Sequence, residues 1–125
     1  MADAANAVGW FEIPVVDMPR AKAFYEHVLD VNLGSMQMGG ADMAMFPYTP
    51  KAAGCAGCLV KTEGYTPSHS GSVIYFTVQD IEGTLARAAS KGGRTIVPKM
   101  SIGEHGFIGH FEDTEGNRVA LHSQQ

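Results

Sequence analysis

The chain is poor in the features that mark many small-protein classes. Nine Lys and Arg stand against 13 Asp and Glu in 125 residues, a formal net charge of −4. No basic stripe forms, which excludes nucleic acid and anionic membrane as expected partners. No apolar run approaches the roughly 18 residues of a membrane span. Met1-Ala2-Asp3-Ala4-Ala5-Asn6 lacks the basic-then-apolar signature of a signal peptide, so the expected location is cytoplasmic. Only two cysteines occur, Cys55 and Cys58, spaced Cys-x-x-Cys with no second pair to complete a zinc site. A thioredoxin-type dithiol opens a helix, whereas Gly54-Cys55-Ala56-Gly57-Cys58-Leu59-Val60-Lys61 leads into a strand whose positions 55 and 58 point to opposite faces. Both read as small residues of the strand and its approach.

Apolar content is not lacking. At 45% hydrophobic and 18% charged, the chain supports one core and one domain over 1–125. Its most ordered stretch is Gly109 to Ser123, where two strand-like runs flank Asp113-Thr114-Glu115-Gly116-Asn117. The Gly and Asn there supply the positive φ of a tight hairpin. That acidic turn lacks the spacing of a calcium loop and reads as a turn only. In the second run Val119 and Leu121 alternate with Arg118, Ala120 and His122, the pattern of a half-buried strand.

In chain order, Val8–Val16 reads as a strand. Asp17 then caps a helix with Pro19 in its first turn and a core stripe of Ala21, Phe24, Tyr25, Val28 and Leu29, ending at Asn32 and Gly34. Three strands follow at Leu33–Met38, Asp42–Tyr48 and Cys58–Thr62. After a Gly/Pro/Ser linker the order repeats: a strand at Val73–Val78, a helix capped by Asp80 and stopped by Gly92-Gly93, and strands at Thr95–Met100, Phe107–Asp113 and Asn117–Ser123. Laying Asp17 over Asp80 superposes Val15 on Val78 and Trp10 on Val73, and brings Gly57 opposite Ala120. The expected fold is α+β, two tandem βαβββ modules at about 8–62 and 73–123, joined by a linker at 63–72.

Phe11-Glu12-Ile13-Pro14-Val15-Val16-Asp17-Met18-Pro19-Arg20-Ala21-Lys22-Ala23-Phe24-Tyr25 and Phe111-Glu112-Asp113-Thr114-Glu115-Gly116-Asn117-Arg118-Val119-Ala120-Leu121-His122 resemble the opening and closing signatures of the vicinal oxygen chelate superfamily, the glyoxalase, bleomycin-resistance and extradiol-dioxygenase group. The resemblance implies a curved mixed sheet around a concave cavity, with helices outside. It also implies a divalent metal held by His and Glu from the first and fourth strands of each module. Carried over, those four slots fall at Trp10, Gly57 (to within a residue), Val73 and Ala120, none of which ligates a metal. The expectation is a protein without the usual metal, which argues against a true glyoxalase I or extradiol dioxygenase. The alternative is a displaced divalent metal on Glu12, His122 and a further His.

Alternation then selects the cavity face. With Phe11, Ile13, Ile74, Phe76, Val119 and Leu121 toward the helices, Trp10, Glu12, Val73, Tyr75, Thr77, Arg118, Ala120 and His122 turn inward, joined through the repeat by Leu59 and Lys61. Glu12 and His122 are the candidate catalytic pair: a carboxylate beside Trp10 is expected to be desolvated and raised in pKa. The alternative is that the pair, or Glu12 with Arg118, only satisfies a polar cavity. Trp10, Tyr48, Tyr75, Thr77, Lys99, His110 and Arg118 are candidate ligand contacts, with His110 and Glu112 able to join either face. Lys99 opens a Gly-hinged loop through Gly106 with the pattern of a lid or of an ordinary solvated loop. His27 and His69 read as surface residues.

Three functions stay open. One is a lyase or isomerase moving a proton next to a carbonyl, another a non-catalytic drug- or metabolite-binding protein, and the third a metal-dependent lyase or dioxygenase with displaced ligands. The expected partners are a small-molecule ligand and a second copy of the chain. Met36, Met38, Met43 and Met45 alternate on two strands and form an apolar surface suited to a homodimer.

Overall fold

The computed structural model describes residues 6–125; Met1–Ala5, part of the stretch considered for a targeting signal, lie outside the described residues. Two βαβββ units follow one another. The first comprises β1 (Phe11–Pro14), α1 (Met18–Leu29), β2 (Gly34–Met38), β3 (Ala41–Met45) and β4 (Gly57–Lys61). The second comprises β5 (Tyr75–Thr77), α2 (Ile81–Ser90), β6 (Arg94–Ser101), β7 (Phe107–Glu112) and β8 (Arg118–Ser123). Each unit makes one four-stranded mixed sheet, in the orders β1-β4-β3-β2 and β5-β8-β7-β6, with the first strand parallel to the fourth. No helix is long and apolar enough to cross a membrane among the described residues.

Local chemistry explains the helices. Asp17 and Asp80 both sit in extended backbone and accept N-cap hydrogen bonds, from Arg20 N and Gly83 N. The first helix stops earlier than Asn32: Asp30 takes the left-handed conformation at φ 55° and closes the last turn on Glu26 O. Asp is one of the few non-glycine residues that tolerate that conformation. The apolar stripe of α1 then packs into a core shared by both units. Phe24 meets Phe111 at 5.9 Å, Tyr25 meets Phe46 at 5.9 Å, and Phe11 meets Phe76 edge-on at 5.6 Å.

The Asp113–Asn117 turn is more than a turn. Asp113, 2% exposed, accepts hydrogen bonds from the Tyr25 hydroxyl at 2.6 Å, Glu115 N, Asn117 N and Asn117 Nδ2. Glu115 accepts from Val16 N, Asp17 N, Arg20 Nε and the Thr114 hydroxyl. Asn117 donates to Pro14 O and accepts from Ser68 N. Three side chains of one hairpin therefore clamp the second unit onto β1, the start of α1 and the linker. Burial alone would raise the Glu115 pKa, but its donors, Arg20 first, hold it below the usual carboxylate range. Tyr25 is pushed well above its ordinary value by burial and then by the Asp113 charge.

Strand register corrects the inward face predicted for β4. Glu12 pairs with Cys58 and Ile13 with Leu59, just as Tyr75 pairs with Ala120 and Phe76 with Leu121. The structural counterpart of Ala120 is thus Cys58, one residue beyond Gly57. Because side chains alternate, that single step moves Leu59 into the core, fully buried, and puts Lys61 on the Leu59 side of the strand. Gly57 has no room for a side chain: a Cβ there would collide with the Phe11 carbonyl oxygen and ring.

Candidate functional site

Both sheets turn one face to the shared core and leave the other open. On the second sheet that open face is built from cross-strand rows. One row is Val97, His110, Ala120 and Tyr75; the next is Met100, Ile108, His122 and Thr77. Tyr75 and His110 stand on β5 and β7, two strand spacings apart, with β8 between them. They meet because the residue between is Ala120, whose methyl leaves space above the strand. The Tyr75 hydroxyl lies 3.1 Å from His110 Nε2, with the rings edge to face at 5.5 Å. On the other side of the imidazole, Arg118 Nη1 donates to His110 Nδ1 at 2.8 Å.

This arrangement fixes a proton. Burial lowers the His110 pKa below its ordinary value, and the Arg118 charge lowers it further, so the ring is neutral near pH 7. A guanidinium can only donate, so Nδ1 must accept, and the one imidazole proton sits on Nε2. Nε2–H then donates to the Tyr75 oxygen.

The remaining predicted residues disperse around this group. Glu12 is exposed and accepts from the Tyr65 hydroxyl at 3.0 Å; it shares with Ile74 and Arg118 a crevice of about 110 Å³ at the seam between the sheets. His122 is on the other ladder, where its Nε2–H donates to the His105 carbonyl at 2.7 Å. Glu12 and His122 thus have separate hydrogen-bond partners. The Glu12 side chain is exposed, not desolvated as expected beside Trp10. Thr77 pairs with His122 at the exposed end of β5. Lys99 belongs to β6 and lies 4.6 Å over the Phe107 ring, away from Tyr75 and His110. The Lys99–Gly106 segment, which the sequence left open between a lid and a solvated loop, is a tight connection closed by Ile102 N to Gly106 O and Gly106 N to Gly103 O. Tyr48, 69% exposed, lines a separate depression with residues of the 49–56 loop. His110 and Glu112 join the open face, and Glu112 binds His69 and Arg94, which, His69 first, hold its pKa low.

Two participants were not foreseen. Tyr65, from the linker, binds Glu12 without any periodic signal to mark it. Cys58 is fully buried next to Glu12 and the Trp10 indole. Its thiol pKa is raised, by burial first and then by the Glu12 charge.

Residues 7–121 match the model of the Glyoxalase/Bleomycin resistance protein/Dioxygenase superfamily. The chain belongs to that superfamily. It is 30% identical over 110 residues to CFP32 of Mycobacterium bovis, named as a candidate glyoxylase; the match takes in 86% of this chain but only 40% of that relative's length. In structure it resembles a glyoxylase/bleomycin resistance protein/dioxygenase domain from Frankia sp. EAN1pec, with TM-score 0.74, 17% identity, and 98% and 100% of the two chains covered. It also resembles TnmS3, an antibiotic binding protein from Streptomyces sp. CB03234, with TM-score 0.68, 22% identity, and 99% and 100% covered.

With Cys58 in place of Gly57 by strand register, the metal slots that the resemblance implies are Trp10, Cys58, Val73 and Ala120: an indole, a thiol, an isopropyl group and a methyl. One soft donor with a raised pKa is not a ligand set for a hard or borderline divalent ion. Among the described residues no group of three or more His, Cys, Asp or Glu is close enough to hold one elsewhere. The residues present do not fit the group.

Proposed function

We propose that this superfamily member binds a small organic ligand on the open sheet face without a divalent metal. The observation that carries this reading is the replacement of the four ligand slots by Trp10, Cys58, Val73 and Ala120, beside an ordered polar group of Tyr75, His110 and Arg118. Half-exposed Tyr75 and Met100 with Val97 and Ile108 supply the apolar surface that small-molecule sites need. The likeness to TnmS3, an antibiotic binding protein, is consistent with a sequestering role. The test is metal content after purification without chelator or His tag, repeated after dialysis against zinc, nickel, manganese and iron(II). The expected result is a content near zero with retained ligand binding; about one metal per chain would overturn the reading.

A lyase or isomerase moving a proton beside a carbonyl is the second reading. It is favoured by Glu12, whose carboxylate stands at the seam crevice with Arg118 and accepts from Tyr65. Glu12→Gln and His122→Gln separate the two. Loss of turnover with binding preserved supports catalysis, and graded loss of affinity with no turnover in the parent supports sequestration.

We further propose that the chain pairs as a homodimer through the open face of the first sheet. Met36 stands across from Met43, which pairs with Val60; Met38, 61% exposed, lies beyond them. Met38→Glu is expected to shift sedimentation toward the monomer; an unchanged mass with a dimeric parent would exclude this face. A cytoplasmic location is consistent with the absence of a membrane-spanning helix among the described residues.

A further inference from the structure

We infer that Arg118, His110 and Tyr75 form a one-way hydrogen-bond relay that presents the Tyr75 hydroxyl as a donor to an acceptor oxygen of the ligand, a carbonyl or the corresponding oxyanion. The inference rests on the small-ligand reading and names the chemistry of its polar contact.

The direction follows from what each group is able to do. Arg118 has donors only, so it occupies the Nδ1 lone pair of His110. The neutral ring has one proton left, on Nε2, and gives it to the Tyr75 oxygen. A phenol oxygen that accepts a hydrogen bond still carries its own O–H, and among the described residues no other partner takes it. Tyr75 is 48% exposed, so that O–H points toward the open face, where a ligand would lie. A bond accepted by the phenol polarises its O–H, so the relay makes a stronger donor than an isolated tyrosine. The reverse polarity, with Tyr75 as acceptor for a ligand N–H, would require the hydroxyl to donate to Nε2 and the ring proton to face Arg118, two donors pointed at one another.

Ala120 is part of the device. Tyr75 and His110 reach each other across β8 only over a small side chain, and the family's ligand slot supplies that position. A carboxylate or imidazole at 120 would stand between them. The residue change that removes a metal ligand is therefore the same one that lets a phenol donor form, and both a metal and a polarised phenol stabilise charge on a ligand oxygen. Around the donor, Val97 and Ile108 on the same face, with Met100, provide an apolar surface for an aromatic or alicyclic body.

The first arm of the test needs no ligand. Nitrogen-15 NMR of the intact protein is expected to show His110 with Nδ1 unprotonated and Nε2 protonated at pH 7, and Arg118→Met is expected to move its titration midpoint upward. A ring protonated on Nδ1 overturns the relay. The second arm titrates 2-acetylnaphthalene and 2-ethylnaphthalene, which differ by the carbonyl, and follows the amides of Tyr75, His110 and Ala120. The acetyl compound is expected to bind roughly three- to tenfold more tightly, the range of one neutral hydrogen bond. Tyr75→Phe should abolish that ratio while keeping ethylnaphthalene affinity, and Arg118→Met should shrink it; Arg118→Lys, which still donates, should restore part of it. Equal affinities in the parent overturn the acceptor-oxygen inference and leave small-ligand binding standing. Perturbation of none of these amides by either compound overturns the inference and counts against the ligand reading as well.

Discussion

The hairpin clamp makes a quantitative prediction at Tyr25. Tyr25→Phe removes one hydroxyl and keeps the ring, which packs against Phe24 at 5.1 Å, Phe46 at 5.9 Å and Phe76 at 6.2 Å. What is lost is a 2.6 Å bond to the Asp113 carboxylate, fully inside the protein. A hydrogen bond to a charged group contributes about 1.5–3 kcal/mol. Asp113 keeps Glu115 N, Asn117 N and Asn117 Nδ2, so the carboxylate is not orphaned and the lower part of that range, about 1.5–2 kcal/mol, applies. For a chain of this length each kcal/mol moves Tm by roughly 3–5 °C, so the expected fall is about 5–10 °C. Urea unfolding followed by circular dichroism should show a lower midpoint with an unchanged slope. Asp113→Asn should cost more, because its amide nitrogen would face the Asn117 amide nitrogen. A Tyr25→Phe loss below about 0.5 kcal/mol, no more than an ordinary surface substitution, would refute the clamp as a stabilising junction. A reduced slope would mean instead that the two units come apart separately.

Other consequences concern pH, space and the site. The Glu115 pKa is depressed in the folded state, so its stabilisation is present above the unfolded carboxylate value and is lost as pH falls through the folded one. Glu115→Gln should therefore be less stable than the parent at pH 7, with the gap narrowing toward pH 3; a constant gap in urea midpoints would contradict the assigned shift. Gly57→Ala forces a Cβ into the Phe11 carbonyl and ring and should cost about 2–3 kcal/mol by the same assay, whereas Gly34→Ala, with open space around it, should be close to neutral. Ala120→Glu restores a carboxylate at a ligand slot but should not restore metal binding, since Trp10, Cys58 and Val73 remain; its expected effect is loss of the Tyr75 to His110 bond, read from the His110 nitrogen shifts.

The architecture was legible because its signals are local and repeated. Two aspartate caps, an apolar stripe beginning at Ala21, and alternation about Val119 and Leu121 each specify an element without tertiary information, and the module repeat then orders them. Helix ends were less legible: Asp30 stops α1 by adopting a conformation that Gly or Asn usually marks. The register of β4 was lost for a related reason. The loop before it varies in length between the two modules, so laying one copy over the other slips by one residue, and in a strand one residue is a whole face. Leu59 and Cys58 exchanged places on that account alone.

The site was legible as a face and not as a set of contacts. Alternation put Tyr75, Arg118, Ala120 and His122 on one side, and that side is open. It could not rank them, because pairing depends on which strands lie next to one another and on what stands between. Glu12 and His122 attract attention as ionisable residues near the vacated slots, yet each is satisfied nearby, by Tyr65 and by the His105 carbonyl. His110 gave no alternation signal that fixed its face; register places it in the row of Ala120, and the methyl at 120 lets it touch Tyr75. The informative residue is thus the least reactive one in the group. An alanine where a metal ligand is expected reads in sequence as a lost function, whereas in three dimensions it is the space through which an arginine, a histidine and a tyrosine are joined.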